Sequence, residues 1–269
     1  MFKYIGIRGH RGAGKNTFSY LLGVTLNYYL LNKKFDDGYN KEYKIAVDKI
    51  LELNEDFLET SELSNIYFES FADTAKITLA ELIGIPSYYM YNDWCKDSVF
   101  VDLKNFHFLQ VKEKIDIPPL LKTSYTARQL YDNILSDKNF FLTEKPIYMQ
   151  LRELITYYSK YVMQVFFGSN VWVKSLEKNR WEQEKFYSTN KIIYKIYTDC
   201  KFSSEVSYIK NNNGIIIQIN RDENIKDDTE FSNELHNDAR IDYYVNWNLD
   251  LYDYQFIEEL KSLALKILS

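Results

Sequence analysis

Near the start of the chain, Gly9-His10-Arg11-Gly12-Ala13-Gly14-Lys15-Asn16-Thr17 sets glycines, a lysine and a hydroxyl at the spacing a phosphate-gripping loop requires. The glycines let the backbone curl so that its N–H groups converge on phosphate oxygens. A helix beginning at the end of such a loop adds the positive end of its dipole. Lys15 supplies a point charge able to reach β- and γ-phosphates. Gly9, Gly12, Ala13, Gly14, Lys15, Asn16 and Thr17 are therefore the candidates for holding a nucleoside triphosphate. The pattern departs from the usual one at Asn16, which replaces a magnesium-binding Ser or Thr, and Thr17 carries its hydroxyl one position late. Arg11 lies inside the loop, either within reach of a transferred phosphoryl group or as a solvated loop arginine.

The elements that must position this loop are read from hydrophobic spacing. Tyr4-Ile5-Gly6-Ile7 reads as a strand leading in, and Phe18, Leu21, Leu22, Leu26, Tyr29 and Leu30 as a helix leading out, with one face against a sheet. Residues 35–65 suggest one helix or two, without a motif. Ile66 to Asp73 reads as a second buried strand ending on an acid. Ala75, Leu79, Leu82 and Ile83 give a helix stopped by Gly84 and Pro86. The stretch 88–149 has no clean period and is expected to be an irregular, partly helical cover. Leu151 to Phe166 predicts a helix of four to five turns halted by Gly168, and another begins near Val171. Lys191 to Asp199 reads as a central strand with Ile192 to Tyr197 as its apolar run, again ending on an acid. A helix over 203–211, a turn at Asn213-Gly214, strands over 215–219 and 242–245, and a closing helix from Phe256 to Leu268 complete the chain.

Strands alternating with helices predict an α/β fold, three layers deep, with a parallel sheet flanked by helices. Ligands of such sheets lie beyond the carboxyl ends of the strands. The glycine loop, Asp73 and Asp199 all fall at those ends. An acid after an apolar strand is placed to orient magnesium through water. Asp73 and Asp199 each have an alternative use as helix caps.

The chain has 269 residues, 46% of them hydrophobic, with a net charge of −5. That balance lacks the basic footprint of a duplex-DNA binder and leaves room for a local nucleotide site. Two cysteines, Cys95 and Cys200, have no metal-ligand spacing, and neither have His10, His107 and His236. No signal-peptide pattern or membrane-length apolar run is present, so a cytoplasmic protein is expected. Trp172, between two valines, reads as core.

Four segments, in order, resemble the bacteriophage-type deoxynucleoside monophosphate kinases, which are P-loop kinases. GHRGAGKNT is similar to that family's loop, and SFADTAKITLAELIGIP to its SFADPLK…GIP segment. LRELITYYSKYVMQVFFGSNVWV resembles its REL-helix and FG..VWV signature, and IYTDCKFSSEVSYIKNNNGIIIQINR its acid-bearing strand and glycine turn. The tail IDYYVNWNLDLYDYQFIEEL is similar to its closing strand and helix. Together these cover about half the chain. The sequence departs from the family at Asn16, where Asp is frequent, at Thr74 for Pro, at Gln164 for Arg and at Lys201 for Arg.

The resemblance implies one P-loop kinase domain over 1–269 with a mostly helical lid around 88–149, and a viral source. It implies phosphoryl transfer from ATP, with Mg²⁺, to a deoxynucleoside monophosphate. Lys15, Arg11, Arg152 and Asp199 would then serve catalysis, with Asn16, Thr17 and Asp199 about the metal. Asp73, Lys76 and Arg152 would line the acceptor site, and Arg128 would be a lid arginine. From its position just after a strand, independently of the resemblance, Arg221 is a candidate to pack on the donor base, a cation–π use. Read from the residues alone, Arg152 has an alternative use as a helix-surface partner for a nearby Glu, and Arg128 is better read as a solvated helix face. Lys201 and Glu205 are lesser candidates. The expected partners are small nucleotides, a homodimer is allowed, and neither duplex nucleic acid nor membrane is expected. Two rivals stand beside this reading: a nucleotide-binding pseudokinase that acts as a scaffold, and another small-molecule P-loop kinase.

Overall fold

The computed structural model describes residues 2–10, 12–53, 63–111, 121–137, 139–142, 145–186, 192–220, 238–246 and 250–269. Arg11, Arg221 and His236 lie outside the described residues, and so do the roles expected of them. In chain order, β1 (Phe2–Arg8) passes through the glycine loop into α1 (Lys15–Asn32), and α2 (Asp37–Leu53) and β2 (Ile66–Glu69) come after it. Next come α3 (Asp73–Ile83), α4 (Asp93–Ser98), β3 (Val99–Asp102), β4 (His107–Gln110), α5 (Ala127–Ser136) and β5 (Tyr148–Gln150). A long helical run holds α6 (Leu151–Thr156), a π-helical stretch (Tyr157–Gln164) and α7 (Val165–Phe167), and leads on to α8 (Val171–Phe186). The chain closes with β6 (Ile193–Tyr197), α9 (Ser203–Asn211), β7 (Ile215–Asn220), β8 (Tyr243–Asn246) and α10 (Tyr254–Leu268). These elements form two units, one of Met1–Phe71 with Glu177–Ser269 and one of Ala72–Leu176.

In the first unit five strands lie in the order β2-β6-β1-β7-β8, all parallel. Parallel neighbours cannot be joined by hairpins, so each step needs a crossover, and helices cover the faces. The Ile- and Tyr-rich runs suit strands buried on both faces, as in β6, where every residue is buried. On one face α1 packs against Ile5, Ile7, Ile196 and Ile217, with α2 and α10 outside it. Residues Phe18 to Tyr28 are consequently buried without a break. The spacing predicts burial of one face only, and the outer helix layer is what closes over the other. On the opposite face Ile209 of α9 lies against Gly6, and Phe71 stacks on Tyr197 with ring centroids 4.8 Å apart.

Strand β2 is shorter than expected. It sits at the sheet edge and pairs with β6 over Ile66–Glu69. Asp73 therefore does not end a strand; it opens α3, and Leu82 on that helix is exposed rather than core.

In the second unit, β3 lies between β4 and β5 in an antiparallel sheet of three strands. The expected irregular cover over 88–149 thus contains a sheet. Its strands are three or four residues long, too short to register as a period. Asp102, buried, shapes the β3–β4 turn by accepting from Lys104 N, Asn105 Nδ2 and Ile147 N. The core gathers Leu79, Ile83, Met90, Val101, Leu130, Met149 and Leu154. The helical run from Leu151 ends at Gly168, whose φ is 88°, as its spacing predicts. Val165 and Phe166 are exposed, against expectation. The wider π-helical turns carry these two residues out of the 3.6-residue phase that would place them on the buried face. Trp172 is buried, as expected. Among the described residues no helix is long and apolar enough to cross a membrane.

Candidate functional site

The glycine loop leaves β1 at the carboxyl edge of the parallel sheet. A Cβ on Gly9 would lie 2.8 Å from the Ile219 carbonyl oxygen, so only glycine lets the loop turn this close to β7. Gly14, with φ of 77°, precedes α1 in the left-handed region and gives the helix no side-chain cap. The first N–H groups of a helix have no intrahelical acceptor and favour an anion. Lys15 Nζ donates to the carbonyl oxygens of Gly9 and His10, both at 3.0 Å, which bends its ammonium back across the loop. Ala13 is buried, Asn16 exposed and Thr17 half-buried. The predicted loop residues other than Arg11 are thus brought together at one strand end.

Asp199 lies just past β6, the neighbour of β1. Strand β6 ends at Tyr197, short of the expected acid, and its last pairing with β1 is Gly6 with Tyr197. Cys200 N donates to Ile7 O at 3.0 Å and pins this junction. Asp199 does not cap α9: its carboxylate pairs with Lys201 Nζ at 2.9 Å. Glu205 serves the helix start instead, accepting from Lys201 N and Phe202 N at 2.6 and 2.9 Å. Burial pushes the Glu205 carboxyl up to about 8; these two N–H groups oppose the shift and Asp199 adds to it. Burial likewise raises the Cys200 thiol and lowers the pKa of Arg8. Arg8 is a buried cation at the end of β1 that the loop pattern does not single out.

Glu205 makes folding stability fall as pH rises. Its folded value of about 8 exceeds its ordinary 4.5, so between these the folded state holds the extra proton. Its contribution is full below the unfolded value and is lost as pH rises toward about 8. Glu205→Gln is expected to remove a decline of about 1 kcal/mol per pH unit. Urea unfolding of both proteins from pH 5 to 9 checks this; parallel pH profiles would refute it.

The second unit holds the remaining candidates in three places. Asp73 and Lys76 form an ion pair at 3.8 Å, and Lys76 Nζ lies 4.5 Å from the Tyr91 ring centroid. Asp73 gives no side-chain cap, since Ala72 is the cap residue. Thr74 Oγ1 accepts from Ser175 Oγ at 3.2 Å, which ties α3 to α8. Arg152 donates from Nε to Asp97 and from Nη2 to Asp93, both on α4. Burial disfavours its charge and these hydrogen bonds outweigh burial, so its pKa is raised. The expected Glu partner for Arg152 is replaced by two aspartates, and Glu153 accepts from Ala127 N at the start of α5 instead. Arg128 is exposed and pairs with Asp132 one turn along. Arg128 and Arg152 thus hold separate partners. Asp93 and Asp97 were not legible as site residues, because nothing in their local spacing marks α4.

Among the described residues no group of three or more His, Cys, Asp or Glu side chains is arranged to hold a metal ion. Magnesium does not demand such a cage. It keeps several waters and takes phosphate oxygens with one or two protein groups.

No family model matches the chain. An uncharacterised protein of Methanocaldococcus jannaschii is 29% identical over 84 residues, which is 29% of this chain and 15% of that protein's length. The molecule is a mixed α/β protein whose five-stranded sheet is all parallel and flanked by helices.

Proposed function

We propose that this protein transfers the γ-phosphoryl group of ATP to a deoxynucleoside monophosphate. The observation that carries the reading is the strand–loop–helix at residues 2–32, with Lys15 bent over the carbonyls of Gly9 and His10. A triphosphate arriving there exchanges those two carbonyl acceptors for its own oxygens. The loop amides and the start of α1 orient the β-phosphate, and Lys15 neutralises charge that grows toward transfer. Mg²⁺, when bound, would supply positive charge that neutralises the triphosphate as transfer proceeds. Asn16 and Thr17 in the first turn of α1 and Asp199 beside the loop would hold its hydrated shell. Phosphoryl transfer needs positioning and neutralisation rather than a covalent step on the protein. In the second unit Arg152 supports the reading as the acceptor-phosphate ligand, and Asp73 and Lys76 as the acceptor's neighbours.

The test is a panel of deoxynucleoside monophosphates with ATP and magnesium, read as acceptor-dependent ADP formation. Turnover with at least one acceptor is expected. Arg152→Ala is expected to raise the acceptor KM about 10–100-fold, the loss of a charged bidentate donor, with little change for ATP. Equal losses for both substrates would mark Arg152 as structural. A second reading, a nucleotide-binding scaffold without turnover, is favoured by Asn16, an exposed amide where the chain offers no carboxylate. ATP binding without any acceptor-dependent ADP would decide for it.

A further inference from the structure

The Arg152 guanidinium is shared unevenly. Its Nε donates to Asp97 and its Nη2 to Asp93, while Nη1 has no partner among the described residues. The two aspartates differ in setting: the Asp97 side chain is 19% exposed and that of Asp93 is 56% exposed. Asp97 is also tied through its backbone, where its carbonyl oxygen accepts from Gln150 Nε2 at 2.7 Å. Asp93 is held less singly. Its Oδ1 lies 2.8 Å from Arg152 Nη2 and 2.7 Å from Lys96 Nζ, a side chain only 14% exposed. One carboxylate oxygen therefore bridges two cations.

An arginine presents two forked edges, Nε/Nη2 and Nη1/Nη2. Asp97 fixes the guanidinium from the Nε side. Asp93 blocks the other fork through Nη2 alone. If Asp93 lets go, it keeps Lys96, so no carboxylate is left uncompensated, and the whole Nη1/Nη2 fork opens. An anion with two oxygens on one centre fits that fork, and a phosphate dianion outcompetes a single carboxylate there.

We infer that Asp93 is an internal stand-in for the acceptor's phosphate and sets the specificity of this site: it occupies Arg152 until the phosphate dianion of a nucleoside monophosphate displaces it onto Lys96. The inference rests on the reading of Arg152 as the acceptor-phosphate ligand. Asp97 is then a positioning residue and Lys96 the resting place of the displaced carboxylate. The apparent affinity for the acceptor is lowered by the fraction of molecules in which Asp93 holds the fork.

The experiment is a binding cycle on the full chain, with the best acceptor of the panel titrated calorimetrically. Asp93→Asn is expected to tighten acceptor binding about tenfold and to leave ATP binding unchanged. In an Arg152→Ala background the same change is expected to alter acceptor binding less than about twofold, because the two residues act on one fork. Asp93→Ser replaces Asp93→Asn should the latter not fold. A tenfold gain that persists without Arg152 would assign the effect to the general field and overturn the inference. No gain in either background would overturn it equally. A wild-type protein that binds no nucleoside monophosphate would remove the kinase reading itself, a different outcome from wild-type binding with Asp93 inert.

Discussion

Lys15→Ala is expected to lower phosphoryl transfer by on the order of 10³-fold, the scale on which one preorganised charge at a transition state acts. The lysine opens α1 at the end of the loop, and no other described lysine or arginine belongs to the loop. Its ammonium now bonds the carbonyls of Gly9 and His10, so the variant gives up two exchangeable hydrogen bonds of about 1 kcal/mol each. That loss is small beside the core holding β1 and α1, and the protein is expected to stay folded. Lys15→Arg is expected to fail nearly as badly, because a planar fork cannot take the place of a compact ammonium. Steady-state rates with ATP and the best acceptor, with unfolding curves of the same preparations, check both statements. Unchanged turnover in Lys15→Ala would remove the phosphate-loop reading.

Lys195→Met is expected to cost about 3–5 kcal/mol of folding stability, a large part of what holds a domain together. Lys195 lies in β6 with its side chain 3% exposed, and its Nζ is 2.7 Å from Glu69 Oε1 on β2. The Phe2 ring, 4.9 Å away, gives the ammonium a second favourable surface. Glu69 is itself only 17% exposed. Removing the lysine leaves that carboxylate buried without its cation, which is the costly event, rather than loss of the pair as such. The paired change Lys195→Met with Glu69→Leu is therefore expected to recover most of the loss. Urea titrations of the two single variants and the double variant measure the coupling. A double variant no better than Lys195→Met would show that the pair is not the source.

Much of the first unit was legible because its signals are local. Glycines at 9, 12 and 14 before a lysine define the loop, and the Ile-rich runs define β1, β6 and β7. Gly214 after Asn213 marks the turn between α9 and β7. The rest depends on partners far away in sequence. Nothing in Phe18 to Tyr28 reveals that α2 and α10 will cover the outer face of α1. Nothing near Ile66 reveals that β2 will take the sheet edge, which is why Asp73 moves from a strand end to a helix start. The second unit was least legible, since β3, β4 and β5 are too brief for alternation to emerge and the π-helical turns shift the phase before Val165. At the candidate site, the loop residues and Asp199 were visible as types at strand ends. The bonds from Asp93 and Asp97 to Arg152 span 59 and 55 residues and leave no periodic trace.

Because eleven successive residues of α1 are buried, from Phe18 to Tyr28, the helix behind the lysine is moored inside the protein before any ligand arrives. Capture of a charged tail therefore loses none of its affinity to ordering that helix. A ligand of the kind proposed would meet a first helical turn already anchored from behind, with Lys15 at its start.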